Sequence, residues 1–373
     1  MAELYIGLMS GTSLDGADAV LADFSNAGIA VLGHASHPFP AGLRAELLAL
    51  NTPGGTDELH RAALAANALA RVYAALTREL LAGASVAPEA VVAIGAHGQT
   101  VRHRPLEFDE VGYTLQINNP ALLAELSGID VVADFRTRDL AAGGQGAPLV
   151  PAFHRALFQQ AQEAVGVLNI GGISNLSLLP AASDPSGTVL GFDCGPGNAL
   201  LDHWCQSHLG HPYDAGGQWA ASGRVMPELL ARLLAEPFFA RNPPKSTGRD
   251  LFNPPWLASH LRASPAQPAD VQATLAELTA SVCADSIQRY GPGIGQLVVC
   301  GGGAMNTHLM ERLAALLPGV GVLSSAQCGL PPQQVEAAAF AWLAHAAVNR
   351  QPGNLASVTG ARGQRTLGAL YPA

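Results

Sequence analysis

Short apolar segments that end in glycine-rich turns recur along this chain, and they constrain its fold more than any other feature does. The four clearest examples are Val91–Gly95 before Ala96-His-Gly-Gln-Thr100, Val165–Ile170 before Gly171-Gly-Ile-Ser-Asn175, Val189–Phe192 before Asp193-Cys-Gly-Pro-Gly-Asn198, and Gln296–Cys300 before Gly301-Gly-Gly-Ala-Met-Asn306. Helical patterns follow, for example from Ala199 and from Thr307, and strands that alternate with helices indicate α/β layers. Ligands of such sheets bind at the carboxyl ends of the strands, which is where these turns lie.

The pattern is present twice. Each half starts with a strand, a polar turn and a returning strand, at Glu3–Phe24 and again at Val165–Leu179, and later has a buried strand that ends in a glycine-rich turn. The spacing of apolar residues predicts further helices, at 40–51, 57–84, 226–236, 270–290 and 335–348. Because 373 residues are also too many for one simple core, two α/β domains are expected.

Composition narrows the classes of protein. With 49% apolar and only 13% charged residues, the chain has ample surface to bury and is not expected to be disordered. A net charge of −9 argues against nucleic acid as the main partner. The apolar stretch 337–348 is shorter than the ~20 residues of a membrane span, and the first residues lack a signal-type pattern, so no membrane association is expected. Five widely spaced cysteines give no zinc pattern and favour reduced thiols in the cytoplasm.

Lys245 is the only lysine among the 20 basic residues. A P-loop needs a lysine directly after a glycine, and Lys245 follows Pro244, so a P-loop nucleotide site is excluded. The turns at Gly195–Gly197 and Gly301–Gly303 also lack the GxGxxG spacing of a dinucleotide site. Any phosphate would therefore be bound largely by backbone N–H groups, which glycine allows to approach closely.

Two of the turns combine glycine with acidic residues. Gly7-Leu-Met-Ser-Gly-Thr-Ser-Leu-Asp-Gly-Ala-Asp18 offers backbone and hydroxyl donors for a phosphate, and Asp15 and Asp18 could hold a hydrated Mg²⁺, but an ordinary hairpin loop favours the same residue types. Asp193 follows a buried strand and precedes a rigid Gly-Pro-Gly turn, a placement that suits a general base. The alternative is that Asp193 caps the next helix, although Asn198 is better placed to do so.

The remaining candidates are polar residues at other segment ends. His97 and Gln99 could orient a polyhydroxy substrate; His97 could also share a metal with His103, although a structural histidine is the favoured interpretation. Asp134 is expected to form a structural ion pair with Arg136 or Arg138 near a strand end. Glu336 opens a helix, where an acid favours the helix dipole, yet it could also face a substrate. The segment 242–249 is interpreted as a loop with solvated charges.

The ordered set of motifs resembles that of the anhydro-N-acetylmuramic acid kinases. The matching segments are Gly7–Gly16, Ala96–Thr100, Asp134–Arg136, Ala141–Val150, Leu168–Asn175, Gly191–Asn198, Pro244–Arg249, Cys300–Asn306 and Ser357–Ala361. Each motif is short, but together they cover nearly the whole chain in the family's order. The resemblance implies the sugar kinase/Hsp70/actin fold, with two related RNase H-like α/β domains at 1–140 with 350–373 and at 141–349, and a nucleotide cleft between the domains.

The resemblance also implies an activity. Such an enzyme uses ATP and Mg²⁺ to phosphorylate O6 of 1,6-anhydro-N-acetylmuramic acid while water opens the anhydro ring. The product is N-acetylmuramic acid 6-phosphate, in the cytoplasmic recycling of peptidoglycan. The resemblance further implies a homodimer whose partner is this small amino-sugar, with no nucleic acid and no membrane.

Site residues carry over from the family onto the matching positions. Asp193 would activate the attacking water. The ATP-binding residues would be Gly11, Thr12, Ser13, Leu14, Asp15, Gly16, Ala17, Asp18, Gly171, Gly172, Gly301, Gly302 and Gly303. The sugar would contact His97, Gly98, Gln99 and Glu336. No Mg²⁺ ligands are assigned.

The chain departs from the family pattern at three places. Cys194 stands where threonine is usual. Asn118-Asn119 replaces a Gly-Asp pair, which leaves their roles open, and Pro331-Pro-Gln-Gln334 replaces a Pro-Asp start before Glu336. Two other classes of function remain in view: an actin/Hsp70-like ATP-binding switch or sugar-operon regulator without this acceptor, and a glycoside hydrolase with paired carboxylates.

Overall fold

The computed structural model describes residues 2–11, 14–26, 28–248, 250–261 and 266–373. The chain divides into two compact units, unit 1 (Met1–Leu157 with Gln334–Ala373) and unit 2 (Phe158–Gln333). Each unit has its own sheet and its own cluster of buried apolar side chains. These units are defined by compactness alone. The domain boundaries that the family resemblance implies, 1–140 with 350–373 and 141–349, remain a prediction.

Unit 1 is built on a six-stranded sheet and a separate hairpin. Its strands are β1 (Leu4–Met9), β2 (Gly16–Asp23), β3 (Ala30–Pro38), β4 (Val91–Ala96), β5 (Gln99–Pro105), β6 (Gly112–Ile117), β7 (Val131–Ala133) and β13 (Ala369–Tyr371). Its helices are α1 (Ala41–Leu50), α2 (Glu58–Ala84), α3 (Pro120–Ser127), α4 (Thr137–Ala141), α5 (Val150–Phe158, whose last residue belongs to unit 2), α13 (Val335–Val348) and α14 (Ala356–Thr359).

Unit 2 is built on a five-stranded sheet. Its strands are β8 (Val165–Ile170), β9 (Ile173–Leu179), β10 (Leu190–Pro196), β11 (Gln296–Cys300) and β12 (Gly321–Ser324). Its helices are α6 (Ala199–Leu209), α7 (Gln218–Ser222), α8 (Pro227–Leu234), α9 (Pro237–Ala240), α10 (Pro254–Leu261), α11 (Pro268–Tyr290) and α12 (Thr307–Leu316).

The two sheets share one strand order. In unit 1 the order is β3-β2-β1-β4-β7-β13, and in unit 2, given in the same direction, it is β10-β9-β8-β11-β12. The sheet of unit 1 has β13 as an additional sixth strand. In each unit the first three strands form an antiparallel meander, and two later strands add in parallel beside the first one. This is the doubled RNase H-like arrangement, so the prediction of two related α/β units is confirmed.

Most elements were visible in the sequence. The hairpin predicted at Glu3–Phe24 is β1 paired with β2, from Leu4 opposite Asp23 to Met9 opposite Asp18. The sequence pattern missed β3 and the β5–β6 hairpin. Exposed and less exposed side chains alternate in β3 and β6, but apolar residues such as Leu32, Tyr113 and Leu115 occupy exposed positions. The hydropathy of the sequence therefore does not follow the burial, and periodicity does not detect these strands.

Helix α13 lies so close to the middle of the unit 1 sheet that no side chain fits between the helix backbone and two of the strands. Gly7 of β1 and Gly95 of β4 are register partners. A Cβ on Gly7 would overlap the carbonyl oxygen of Ala337, and a Cβ on Gly95 would overlap that of Phe340. Nine of the 14 residues of α13 are buried, and most of these are alanine. The helix therefore presents small side chains where the two strands have glycine. The helix backbone thereby rests directly on the two strands.

Helix α11 is the central helix of unit 2. It contacts helices α6, α7, α8 and α12 as well as strands β9 and β10. Its buried hydroxyls are satisfied within the fold, because Ser286 donates to the Val282 carbonyl and Thr279 donates to the Gly197 carbonyl at 3.2 Å. The second of these bonds ties α11 to the turn that follows β10.

The apolar helices of the protein are core elements. No helix within the described residues is long and apolar enough to cross a membrane. The apolar stretch singled out in the sequence, 337–348, belongs to α13 and packs on the unit 1 sheet.

The Gly7→Ala substitution tests the close packing of α13. A Cβ at this position forces the helix away from the sheet, so we expect a loss of roughly 1–3 kcal/mol in the free energy of unfolding, measured by urea denaturation. The matched control is Gly83→Ala in the exposed last turn of α2, where a Cβ meets no atom within 4 Å and alanine should stabilise by about 0.5–1 kcal/mol. Equal effects of the two substitutions would contradict the packing argument.

Candidate active-site elements

The candidate residues of unit 1 gather at one edge of its sheet. Strands β1, β4 and β7 are parallel, so their carboxyl ends meet at the same edge, and antiparallel β2 begins there. Segment 10–16 follows β1, segment 97–99 follows β4 and segment 134–136 follows β7. The sheet topology thus brings together motifs that are more than 120 residues apart in the sequence.

The β1–β2 turn is connected to the turn after β4. The buried Ser10 hydroxyl donates to the Gly98 carbonyl at 3.0 Å, and Gln99 donates from Nε2 to the Gly11 carbonyl at 3.2 Å. Leu14 has a left-handed backbone (φ 59°) and a buried side chain. The predicted phosphate-binding residues Thr12 and Ser13 lie outside the described residues.

At the end of the β1–β2 turn, Gly16 and Ala17 are packed against the fold, whereas the carboxylates of Asp15 and Asp18 are accessible. A Cβ on Gly16 would overlap the His37 carbonyl oxygen, so this glycine is required by the pairing of β2 with β3. The side chain of Ala17 is fully buried. The two carboxylates are accessible: Asp15 lies 3.8 Å from Arg44, and Asp18 lies 3.5 Å from His34.

The exposure of Asp15 and Asp18 bears on whether their carboxylates could bind a Mg²⁺ ion. No group of three or more His, Cys, Asp or Glu side chains in the described ranges is placed to bind a metal. A Mg²⁺ ion that arrives with nucleotide phosphates keeps several waters and needs only one or two carboxylates. Asp15 and Asp18, with side chains 76% and 43% exposed, fit that second requirement.

His97 is a neutral histidine held by an arginine. Arg136 donates to Nε2 of His97 from Nε at 3.2 Å and from Nη2 at 3.0 Å. Because a guanidinium has no acceptor, Nε2 carries the lone pair, and we assign the imidazole proton to Nδ1. Burial, together with the charge of Arg136, holds the pKa of His97 well below its ordinary value. This geometry rules out the metal site that was considered for His97 and His103.

The amides beside His97 include side chains without partners. A Cβ on Gly98 (φ 78°) would lie 2.8 Å from the Ile117 carbonyl oxygen and 3.1 Å from Cβ of Asn118, so these two turns touch. Within the described residues, Oε1 of Gln99 and both amide atoms of Asn118 are buried without a hydrogen-bond partner. Asn119, by contrast, caps α3 and accepts from Leu122 at 3.0 Å. Unsatisfied buried amides are the groups that a polar ligand can pair.

Arg136 is oriented by further contacts. It donates to the Gly146 carbonyl at 2.8 Å, and burial lowers its pKa to about 10, against the opposing charges of Glu336 and Asp139. Glu336 is half-buried in the first turn of α13. The expected ion pair of Asp134 with Arg136 or Arg138 is wrong, because Asp134 instead accepts from the N–H and the hydroxyl of Thr137. Arg136 is thus positioned by His97 and Gly146.

Three glycine turns meet at one edge of the unit 2 sheet. Gly171 and Gly172 join β8 to β9 and accept from the N–H groups of Asn198, at 2.7 Å, and Gly197, at 3.0 Å. A Cβ on Gly197 would overlap the Gly171 carbonyl oxygen. The third turn, Gly301–Gly303, packs on the end of β8: a Cβ on Gly301 (φ 77°) would lie 2.7 Å from the Ile170 carbonyl oxygen. Close packing of the backbone accounts for the glycines at 197 and 301, and the Gly301 N–H donates to the Pro332 carbonyl at 3.1 Å. Phosphate binding by the remaining backbone N–H groups of these turns stays a prediction.

Asp193 lies in β10 at this edge, with its carboxylate bonded on one side. Ser246 donates to Oδ2 at 2.8 Å and the Thr247 N–H donates to the same oxygen at 2.9 Å. Burial raises the pKa of Asp193, and the Thr247 N–H, the Ser246 hydroxyl and the charge of Lys245 each oppose that rise. Asp193 does not cap α6, which excludes that alternative, and Asn198 directs its side chain to the Ile170 carbonyl.

The doubled sheet with backbone turns at its strand ends defines an α/β protein of the sugar kinase/Hsp70/actin fold. The model of the family "Anhydro-N-acetylmuramic acid kinase" matches residues 3–373. The chain therefore belongs to the anhydro-N-acetylmuramic acid kinase family.

Individual relatives are similar over their full lengths. The anhydro-N-acetylmuramic acid kinase of Variovorax paradoxus (strain S110) is 70% identical over 373 residues, covering 100% of this chain and 99% of the relative. That of Albidiferax ferrireducens is 62% identical over 390 residues, covering 100% of both chains. Among solved structures, component A of the Acidaminococcus fermentans (R)-2-hydroxyglutaryl-CoA dehydratase is 14% identical, with a TM-score of 0.48 and coverage of 91% of this chain and 96% of that one.

The protonation state of His97 has a measurable consequence for stability. Its folded-state pKa lies below the unfolded value of about 6.5, so below that pH the unfolded chain binds a proton that the folded chain does not. Stability should therefore fall as pH decreases from 6.5, with a contribution from His97 of up to about 1.4 kcal/mol per pH unit. Urea unfolding between pH 7 and 5 should give a shallower pH dependence for His97→Gln than for the unsubstituted protein. Parallel curves would show that His97 is not held neutral.

Proposed function

We propose that this protein is an ATP-dependent kinase of 1,6-anhydro-N-acetylmuramic acid. The reaction opens the anhydro ring with water and phosphorylates O6, which gives N-acetylmuramic acid 6-phosphate. The observation that carries the proposal is Asp193, a half-buried carboxylate fixed at the strand edge of unit 2 by two donors to one oxygen. Family membership supplies the substrate, since the relatives bear the name of this kinase.

Asp193 is suited to act as a general base. Its Oδ2 accepts from Ser246 and Thr247, and no described residue donates to Oδ1, which leaves that oxygen for the proton of a water. The base removes this proton as the water oxygen adds to C1 of the sugar and the C1–O6 bond breaks. The electron pair of that bond passes to O6, which then attacks the γ-phosphorus of ATP, and ADP leaves. Each bond formed is thereby matched by one that breaks.

Phosphoryl transfer depends mainly on positioning and on stabilisation of charge. With no lysine in any glycine-rich turn, the phosphates would be bound by backbone N–H groups of 11–18, Gly171–Gly172 and Gly302–Gly303. The N–H groups of Leu14 and Gly301 are already used, because they donate to the Gly11 and Pro332 carbonyls. Mg²⁺ carried with ATP would neutralise charge on the phosphate oxygens, with Asp15 and Asp18 as its carboxylates.

The sugar contacts would come from unit 1. His97, Gly98, Gln99 and Glu336 are the proposed substrate-binding residues, and the unpaired amide of Asn118 adds a donor and an acceptor beside them. Arg136 supplies a cation for the acid group of a muramic acid. Sugar hydroxyl and amide groups are partners that Oε1 of Gln99 and the amide of Asn118 lack among the described residues.

The cellular setting is proposed on narrower grounds. All five cysteines are free thiols and four of them are buried, as expected for a protein of the reducing cytoplasm. A homodimer and a place in peptidoglycan recycling are proposed from the family resemblance. No observation favours an ATP-binding switch or a glycoside hydrolase over the kinase.

A product assay with isotope-labelled water tests this function. Incubation with ATP, Mg²⁺ and 1,6-anhydro-N-acetylmuramic acid in H₂¹⁸O should give ADP and a 6-phosphosugar with one labelled oxygen at C1, detected by mass spectrometry. A ring-opened sugar formed without ATP would identify a glycoside hydrolase. ATP binding without any sugar product would favour the switch.

Replacing the proposed base tests the mechanism. Asp193→Asn keeps the hydrogen-bond acceptor but cannot accept the proton, so turnover should fall by at least 10²-fold while ATP binding, measured by calorimetry, is retained. The control Asp184→Asn changes an exposed carboxylate whose hydrogen bonds come from within its own turn, from Ser186 and the Gly187 backbone, and its turnover should be unchanged. Near-normal turnover of Asp193→Asn would remove Asp193 from the mechanism.

A further inference from the structure

The only lysine of the chain is buried, which the sequence interpretation of a solvated 242–249 loop did not foresee. Only 8% of the Lys245 surface is exposed to solvent. Its ammonium group donates to the Phe239 carbonyl at 3.3 Å and lies 5.0 Å from the Phe238 ring centroid and 5.9 Å from that of Phe192. The loop is therefore anchored by its cation between β10 and α9.

This burial is unusual for a lysine. Lysine is rarely buried without an ionic partner, and among the described residues no carboxylate oxygen lies within 4.0 Å of the ammonium nitrogen. One carbonyl and two aromatic rings compensate only part of the desolvation of a charge. An apolar side chain would fill the same space at lower cost. The positive charge itself therefore calls for an explanation.

The backbone beside this side chain holds Asp193. The Asp193 N–H donates to the Lys245 carbonyl at 3.1 Å, and the next two residues make both bonds to Oδ2 of Asp193. Three consecutive residues, Lys245, Ser246 and Thr247, thus fix the strand position and the carboxylate of one aspartate. The described part of loop 242–249, residues 242–248, has no helix or strand of its own. This segment is fixed by side-chain contacts, namely the anchored ammonium group of Lys245 and the bond that Tyr290 donates to Oδ1 of Asn242 at 3.0 Å.

We infer that Lys245 is a positioning residue for Asp193: its buried ammonium group anchors segment 245–247, which holds the Asp193 strand position and aims its carboxylate. This inference rests on the proposed function only for the step that Asp193 performs. The contacts that carry it lie entirely within unit 2.

The surrounding charges set the expected pH dependence. Cys194 of β10 and Asp285 and Arg289 of α11 line one cavity with Lys245, Asp193 directly precedes Cys194, and Arg241 follows α9. Burial raises the pKa of Asp193, and the charge of Lys245 is one of the influences that lower it. Removal of the charge should raise the pKa of Asp193 further, so a larger fraction of the base is protonated and inactive at a given acidic pH.

The Lys245→Met variant tests both parts of the role. We expect kcat to fall about tenfold or more at the pH optimum with the KM for ATP within twofold, because Asp193 is less well aimed. The acidic limb of kcat/KM should also move to higher pH by roughly half a unit to one unit. Lys245→Arg, which keeps the charge, should restore the position of the acidic limb. The matched control is Arg289→Met, which removes an exposed cation beside the same cavity and should change neither quantity.

A cavity beside Lys245 permits a second measurement. It has a volume of about 340 Å³ and is lined by Lys245, Asp285 and Arg289. In Lys245→Ala the missing atoms correspond to n-propylammonium, which should restore activity at least severalfold, whereas n-propanol should not. Recovery with the cation alone shows that the charge acts, which a purely structural role does not predict.

A readout without turnover separates this inference from the proposed function. The carboxyl titration of Asp193, followed by NMR in ¹³C-aspartate-labelled protein, should move to higher pH in Lys245→Met and stay in place in Arg289→Met. If the unsubstituted protein makes no phosphosugar, the proposed function fails while this titration still decides the role of Lys245. An unchanged titration in folded Lys245→Met, or equal rescue by propanol, would overturn the inference.

Discussion

Helix α13 rests directly on strands β1 and β4, and the arrangement of unit 1 depends on that contact. Gly7 and Gly95 face each other across the two strands, and a side chain on either one would overlap the helix backbone. The contact fixes where α13 begins, and so it places Glu336 at the same sheet edge as His97 and Arg136. A packing constraint in the core thereby determines which polar groups meet at the strand ends.

Unit 2 achieves a similar result with backbone packed on backbone. The backbone of Gly197 packs on the Gly171 carbonyl and that of Gly301 on the Ile170 carbonyl, so closely that side chains are excluded at positions 197 and 301, and the end of β10 is held among these turns. Asp193 gains its environment there: burial raises its pKa, while Ser246 and Thr247 stabilise its charged form. In a chain with 13% charged residues, one buried lysine next to this aspartate has an influence that a surface lysine would not have.

The sequence identified the positions of several candidate site residues, but it did not identify their contacts. Asp193 and His97 were identified because they follow buried strands, and topology sends such residues to one edge of a sheet. Arg136 was assigned to a local ion pair, but its partners are His97 and Gly146. Lys245 was assigned to a solvated loop, although it is buried beside Asp193, 52 residues earlier in the chain. Contacts of this range leave no periodic signal in one sequence.

The sequence by itself determined the doubled α/β pattern, the bounds of five helices (α1, α2, α8, α11 and α13) to within two residues, and the glycine-rich strand ends, because these features follow from local periodicity and turn chemistry. Only the tertiary structure decided which polar groups were left without partners, which tautomer His97 adopts and how the Asp193 carboxylate is held. Those properties depend on burial and on atoms brought together from distant segments. The free energy of a charge or an unpaired amide is set by its surroundings, which exist only in the folded chain.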